Sequence, residues 1–310
     1  MILLTKNDIV FLVISMNLKN WMRDIADETD LFSLNMVGTH DCVTQYVQLS
    51  HLARCQDRNI YEQLCLGVRG LDIRVKPNGS RLGMVHAFTK AFVSPSHFSA
   101  WMDMADVLSH CYRFLNENPS EAIVFQFKDD RSDKYDRSES FDILYNTYIK
   151  GNEDKWYLKN KAPRLSECRG KIVLIRRCPM KDRNVYTDEN TGIDFSKWEE
   201  QDTAVPTPLA LKTSGAYEMT FIVQDRYKYK PVPRWKECIK PFLDTMKPFS
   251  GTYIINYLST AGGLKGPYNN SKYINPQFMA YPLDKSKYYG MIYCDFPTAE
   301  LAEKIISTNF

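Results

Sequence analysis

The sequence predicts an α/β fold: a single-domain, irregular (β/α)8 barrel of TIM type. Three observations predict it. Eight short apolar runs read as strands, and helical patterns lie between most of them. Seven of the eight also carry a charged or titratable residue within, or just past, the C-terminal half.

The strand runs are Leu34–Gly38, Gly70–Val75, Gly83–Ala87, Ala122–Lys128, Lys171–Arg177, Thr220–Gln224, Thr252–Leu258 and Met291–Asp295. Several are nearly continuous in apolar residues, the pattern of parallel strands covered on both faces. Between them, Asn59–Leu66 reads as a helix stopped by Gly67. Ser99 is positioned to cap a helix with the stripe Trp101, Met104, Leu108, Cys111 and Leu115, ending before Pro119. Ser138–Lys150 is a further helix, and Arg234–Met246 is one that Pro241 should kink. Thr298 caps a last helix with Leu301, Ala302, Ile305 and Ile306 on one face. The link Lys76–Leu82 is too short for a crossover between parallel strands. Either the barrel is irregular there, or those two strands are not parallel neighbours.

Composition excludes several classes. The chain has 310 residues, with 40 Lys+Arg against 37 Asp+Glu and a formal net charge of +3. With 44% hydrophobic and 25% charged residues it matches ordinary globular domains and argues against disorder. The net charge is small and no basic cluster stands out, so no nucleic-acid partner is expected. The longest N-terminal apolar run, Ile9–Met16, falls short of the ~20 residues of a spanning helix. Asp8 precedes it and no small-residue cleavage site follows. Residues 1–19 are therefore expected to be an N-terminal extension, at most a weak signal segment, before a barrel over 20–310. The eight cysteines form no C-x-x-C pair, and no H-E-x-x-H occurs. Buried thiols fit that spacing better than a zinc site or a disulfide framework, though bridges stay open if the protein is exported.

The polar strand ends carry the functional signal. His40 and Asp41 follow the first strand, Arg74 lies late in the second and His86 late in the third. Lys128, Arg177 and Asp295 end three others, and Asp225 follows the sixth. In a barrel these ends share one face, where active sites are built. Two histidines supply a base and an acid near neutral pH. A carboxylate beside a histidine fixes its tautomer, and arginine offers a planar fork to phosphate oxygens. The set points to phosphodiester cleavage without a metal.

These residues lie in motifs that resemble the X domain of phosphatidylinositol-specific phospholipase C, in its compact bacterial form. The motifs are MVGTHDC, GVRGLDIRV, MVHAF, FLNENPSEAIVFQFK, RGKIVLIRR, FIVQDRYK, YIINYLSTAGG, KYINP and GMIYCDF, spread from Asn20 to Asn309. The resemblance implies a distorted barrel that cleaves phosphatidylinositol to diacylglycerol and inositol 1,2-cyclic phosphate. It implies His40 as general base, Asp295 as its carboxylate partner and His86 as general acid. Arg74 would bind the phosphate, and Asp41 would support the acid side. Lys128, Arg177 and Asp225 would hydrogen-bond the inositol hydroxyls, and Tyr227 would stack on the ring. Asp72 has no assigned role beyond orienting Arg74.

No cofactor is expected. Calcium-using relatives gather acidic ligands beside the phosphate, and here Arg74 puts a fixed positive charge in that strand. The implied partner is phosphatidylinositol, or a glycosylphosphatidylinositol, met transiently at a membrane by a monomer. Secretion or peripheral attachment is the favoured location. Two departures from the bacterial pattern stand out: Cys42 replaces serine, and Ala87 replaces glycine after the acid histidine, where backbone freedom matters. The tryptophan that some relatives carry after YIINYLSTAGG is missing, so membrane contact is assigned instead to Tyr46, Val47, Leu49 and Leu52 or to Tyr229–Trp235. His51, His97 and His110 are expected in surface or packing roles. Two alternatives remain: an inactive headgroup-binding module, and a metal-using phosphodiesterase for another headgroup.

Overall fold

The apolar runs pair into one sheet because each is too hydrophobic to leave a face in water. The computed structural model describes residues 16–96, 98–131, 134–181 and 184–310. His97 and residues 9–15 of the N-terminal apolar run lie outside them. In chain order the strands are β1 (Met36–Thr39), β2 (Gly70–Asn78), β3 (Arg81–His86), β4 (Ile123–Asp129), β5 (Ile172–Arg176), β6 (Thr220–Gln224), β7 (Tyr253–Tyr257) and β8 (Met291–Cys294). Seven of them form a parallel sheet in the order β5-β4-β2-β1-β8-β7-β6. Between β5 and β6, closure runs through shorter pieces. Ile193–Asp194 pairs with β5, Leu209–Lys212 lies antiparallel on β6, and an isolated Asp194–Ser214 bridge joins the two.

The third predicted strand, Gly83–Ala87, is not a barrel stave. β3 turns back antiparallel on β2, with Val75 opposite Met84 and Asn78 opposite Arg81. The turn is tight because Gly79 takes a left-handed φ of 62°. β2 therefore overshoots the barrel, and β3 returns His86 toward the level of Arg74. His86 reaches the predicted face by a hairpin, not at the end of a parallel strand.

Aromatic rings fill the barrel. Tyr257 and Tyr293 stack with centroids 4.9 Å apart. They fit because Gly38 faces them, where a Cβ would come within 2.7 Å of the Tyr293 ring. At the opposite end, buried Arg69 closes the floor through a 2.6 Å ion pair to Glu121 and donates to the carbonyls of Leu64 and Val68. The 3-10 helix Leu18–Asp24 packs there, with the indole of Trp21 donating to the Gly67 carbonyl. The packed chain thus includes Leu18, two residues before the predicted barrel boundary.

Helix ends follow local chemistry. Asn59 and Glu62 form the capping box of Ile60–Cys65, and Thr298 caps Ala299–Ile306. Ser99 does not cap the next helix. It spans Met104–Glu117, and Asp103 caps it in a box with Asp106, while Trp101 packs outside, donating to the Met84 carbonyl. Ahead of Pro241 the helix widens into a π-turn over Arg234–Ile239, which accommodates the proline's missing donor. The helix Gly266–Ala280, with Pro267 in its first turn and Pro276 inside, was not predicted. None of the helices in the described residues is long and apolar enough to cross a membrane.

Candidate active site

The parallel register between β1 and β8 builds the centre of the site. Thr39 is level with Cys294, so the residues that follow, His40 and Asp295, meet at the same rim. His40 Nδ1 lies 2.9 Å from Asp295 Oδ1, and Asp295 is buried. Gln56 fixes this corner by donating to the carbonyls of His40 and Cys294 at 2.7 and 3.1 Å. The chain then turns sharply, with Asp41 at a left-handed φ of 43°, a conformation a short polar side chain tolerates.

That turn aims Asp41 into the middle of the cluster. Its Oδ2 lies 3.1 Å from His40 Nε2 and 3.3 Å from His86 Nε2, and its Oδ1 lies 3.1 Å from Arg74 Nε. Arg74 Nη2 in turn reaches Asp72 Oδ2 at 3.1 Å, which gives Asp72 the orienting role anticipated for it. His86 Nδ1 donates to the Ala53 carbonyl at 2.8 Å, leaving Nε2 facing Asp41. Both imidazoles therefore present Nε2 to one carboxylate, with ring centroids 6.2 Å apart.

Electrostatics follow from this packing. Burial works against a charge on His40, but Asp41 and Asp295 outweigh it and lift its pKa from 6.5 to about 9. Burial likewise opposes the charge on Asp72, yet Arg74, and more weakly His40 and Arg177, hold that carboxyl well below the usual range. Arg74 stays firmly charged despite burial because Asp41 and Asp72 face it.

The raised pKa of His40 predicts a pH dependence. Stability from this group is complete below pH ~6.5 and is lost as pH rises through about 9, a contribution of at most ~3 kcal/mol. Asp295→Asn removes one of the two carboxylates responsible. Urea unfolding at pH 6.5 and 9.5 should show a smaller stability difference in this variant than in the parent. Equal differences would contradict the assignment.

A pocket of about 400 Å³ opens beside the cluster, lined by His40, Arg74, His86, Lys128, Arg177, Asp225 and Tyr227, among others. Seven of the nine predicted site residues thus face one cavity. The other two, Asp41 and Asp295, are buried behind the histidines. His51 and His110 lie outside it. A comparably sized hollow outside the barrel, against Ile222, Phe242 and Met246, holds no such cluster of titratable groups.

Two pocket acids were missed by the sequence reading. Glu200 lies 3.1 Å from Lys128 Nζ and 3.6 Å from Arg177 Nη2, and Asp130 lies 3.5 Å from Lys128 Nζ. Burial opposes the charge on Glu200, but Lys128 and Arg177 keep its pKa low. The Arg177 guanidinium stacks 3.8 Å above the Trp198 ring, which sets its direction. Burial raises the pKa of Asp225, against the pull of Arg234 and Arg177.

Two of the expected membrane contacts are corrected. Val47 and Trp235 are buried, at 8% and 6% exposure, and cannot meet a lipid surface in this fold. Leu49 and Leu52 are exposed, as is Val232. The most exposed apolar side chains on segments lining the pocket are Phe88 at 77% and Leu264 at 97%. Gly266, at the head of the unpredicted helix, holds this rim closed: its φ is 72°, and a Cβ there would meet the His51 carbonyl at 2.1 Å.

Ala87 shows the strain that its replacement of glycine suggested. Its φ is 51°, a left-handed value that costs an L-residue ~1–2 kcal/mol. The position is stabilised by a 2.6 Å bond from its amide to Asp130 Oδ2. Ala87→Gly should raise stability by ~0.5–1 kcal/mol after glycine's extra unfolded-state entropy, moving the thermal midpoint up by ~1–3 °C. A lowered midpoint would show that no strain is stored there.

Comparison with known proteins gives a consistent result. Residues 39–178 match the profile described as phosphatidylinositol-specific phospholipase C, X domain. A 1-phosphatidylinositol phosphodiesterase of Listeria monocytogenes is 26% identical over 311 residues, covering 95% of this chain and 86% of that protein. One from Staphylococcus aureus is 27% identical over 271 residues, or 84% of this chain and 81% of its own length. A structure of the S. aureus phosphatidylinositol-specific phospholipase C superposes with a TM-score of 0.75 at 23% identity, over 95% of this chain and 98% of that one. The L. monocytogenes enzyme gives 0.68 at 22%, over 95% and 99%. At these identities the structural likeness establishes the TIM-barrel type of fold.

Proposed function

We propose that this chain, a member of the phosphatidylinositol-specific phospholipase C X-domain family, cleaves phosphatidylinositol to diacylglycerol and inositol 1,2-cyclic phosphate. The observation that carries the reading is the placement of two histidines around Arg74. One has its Nδ1 on a buried carboxylate, and both turn Nε2 toward Asp41.

In this mechanism His40, once deprotonated, takes the proton of the inositol 2-hydroxyl at Nε2. The freed oxygen attacks phosphorus and the bond from phosphorus to the glycerol oxygen breaks. His86 gives its Nε2 proton to that departing oxygen. Asp295 stabilises the imidazolium formed on His40, and Asp41 holds the proton-bearing form of His86. Arg74 binds the phosphate and offsets the negative charge that grows on its oxygens. Lys128, Arg177 and Asp225 bind ring hydroxyls and Tyr227 covers the ring.

The reaction needs no metal in this account. The carboxylates nearest the phosphate position, Asp41 and Asp72, each lie 3.1 Å from the Arg74 guanidinium. That cation occupies the place where calcium would need six to eight oxygens.

The substrate is met at a lipid surface, whether as free phosphatidylinositol or as a glycosylphosphatidylinositol anchor. One chain supplies every residue that the mechanism uses, so a monomer suffices at that surface. Phe88, Leu264 and Leu52 form the apolar rim that would touch lipid.

Phosphorus NMR of phosphatidylinositol vesicles with excess chelator tests the proposal. A cyclic phosphodiester signal should grow at the same rate with and without chelator. Product that appears only after calcium is added would overturn the metal-free mechanism. Vesicle binding without product would instead favour a headgroup-binding module. Phe88→Ser with Leu264→Ser should weaken vesicle sedimentation, and unchanged sedimentation would move the contact elsewhere.

A further inference from the structure

All eight cysteines are free thiols, and one of them stands among the catalytic groups. Cys55 is fully buried directly behind the two histidines. Its Sγ lies 3.6 Å from the Ala53 carbonyl and 3.9 Å from His86 Nδ1. His40, Cys55 and Asp295 offer ligand atoms all within 4.8 Å of one another, and Asp41, Cys55 and His86 form a second such triple sharing the thiol.

We propose that Cys55 makes the base end of the site an inhibitory binding site for a soft divalent cation such as Zn²⁺, held by His40, Asp295 and Cys55. The inhibitory meaning rests on the reading of His40 as base. The metal site itself does not.

The donor set decides the ion. One imidazole nitrogen, one thiolate and one carboxylate oxygen suit zinc, whereas calcium and magnesium take oxygen ligands. Zinc bonds of 2.0–2.3 Å place tetrahedral donors roughly 3.3–3.8 Å apart. His40 Nδ1 and Asp295 Oδ1 are already 2.9 Å apart around a shared proton, so the pair opens by only a few tenths of an ångström to admit a metal. The thiol closes in from the third side, and a water carried in with the ion takes the fourth position. On binding, the Nδ1 proton and the thiol proton leave to water, and one thiolate plus one carboxylate balance the dication.

This binding disables catalysis by tautomer. With Nδ1 on the metal, the ring keeps its remaining proton at Nε2. That is the atom that must accept the 2-hydroxyl proton. Bound metal and a working base therefore exclude each other.

The test uses Zn²⁺ and Co²⁺ on the purified protein and its Cys55→Ser and Cys55→Ala variants. Each rate is read against the same variant's metal-free rate. Zn²⁺ should inhibit the parent, and the half-inhibiting concentration should rise at least ~10-fold in either variant, the usual scale of losing one ligand. Co²⁺ should give the parent a thiolate-to-cobalt charge-transfer absorption that both variants lack. The cobalt band reads the site even if no phosphatidylinositol is cleaved. Equal inhibition of parent and variants, or a cobalt spectrum without a band that depends on Cys55, would overturn the proposal.

Discussion

Replacing His40 by alanine should lower kcat on phosphatidylinositol by ~10³–10⁴-fold, and replacing His86 should do the same. Positioned proton transfer contributes ~10²–10⁴ for each group, and groups that work on one transition state do not add independently. The double variant should therefore fall little further than either single one. His40 Nδ1 is tied to Asp295 at 2.9 Å and His86 Nδ1 to the Ala53 carbonyl at 2.8 Å, so each ring is held with Nε2 as its free working atom. His40→Ala should also lose up to the ~3 kcal/mol that its charge contributes, because Asp295 is left buried without its partner, so circular dichroism at the assay temperature has to show both variants folded. Losses of under tenfold in folded protein would remove these residues from the chemistry.

Arg74 should show the second large effect, and it should split into two parts. Arg74→Ala should cost ~10³ or more in kcat, the scale of losing a preorganised donor to developing charge. It should also destabilise the fold by ~3–5 kcal/mol, because Asp41 and Asp72 are then left buried without their cation. Arg74→Lys separates these roles. It restores a positive charge between the two carboxylates and much of the stability, but a single ammonium cannot reproduce the planar fork. Its kcat should stay at least ~10²-fold low. Urea unfolding beside vesicle kinetics checks the split; full activity in the lysine variant would show that charge alone suffices.

Most of the site was legible in the sequence because a parallel barrel turns strand order into spatial convergence. The residues that end or follow the strands share one rim, so His40, Arg74, Lys128, Arg177, Asp225 and Asp295 could be collected without coordinates. His86 reached the same rim through the β2–β3 hairpin, whose short link had already ruled out a crossover. Other groups left no periodic signal. Glu200 sits in a loop, in the charged run Glu199–Asp202, where nothing separates a pocket acid from a solvated one. Gln56 acts through two carbonyls that only the fold brings together. The apolar surface was misread at Val47, on a short irregular segment with no period to tell buried from exposed, and at Trp235, which lies in the widened first turns of the helix before Pro241 and is buried there. Ser99 lost the cap to Asp103, whose partner Asp106 completes a box that serine alone cannot make.

The central claim is a division of labour between two histidines, and the leaving group tests it most directly. We would measure cleavage of an inositol phosphodiester carrying a nitrophenyl leaving group by the parent, His40→Ala and His86→Ala proteins. A nitrophenolate departs without being protonated, so an acid is no longer needed while the base still is. The account predicts that His86→Ala recovers most of the parent rate on this substrate and that His40→Ala stays defective. Equal defects in the two variants, or recovery by His40→Ala instead, would contradict the assignment of base and acid.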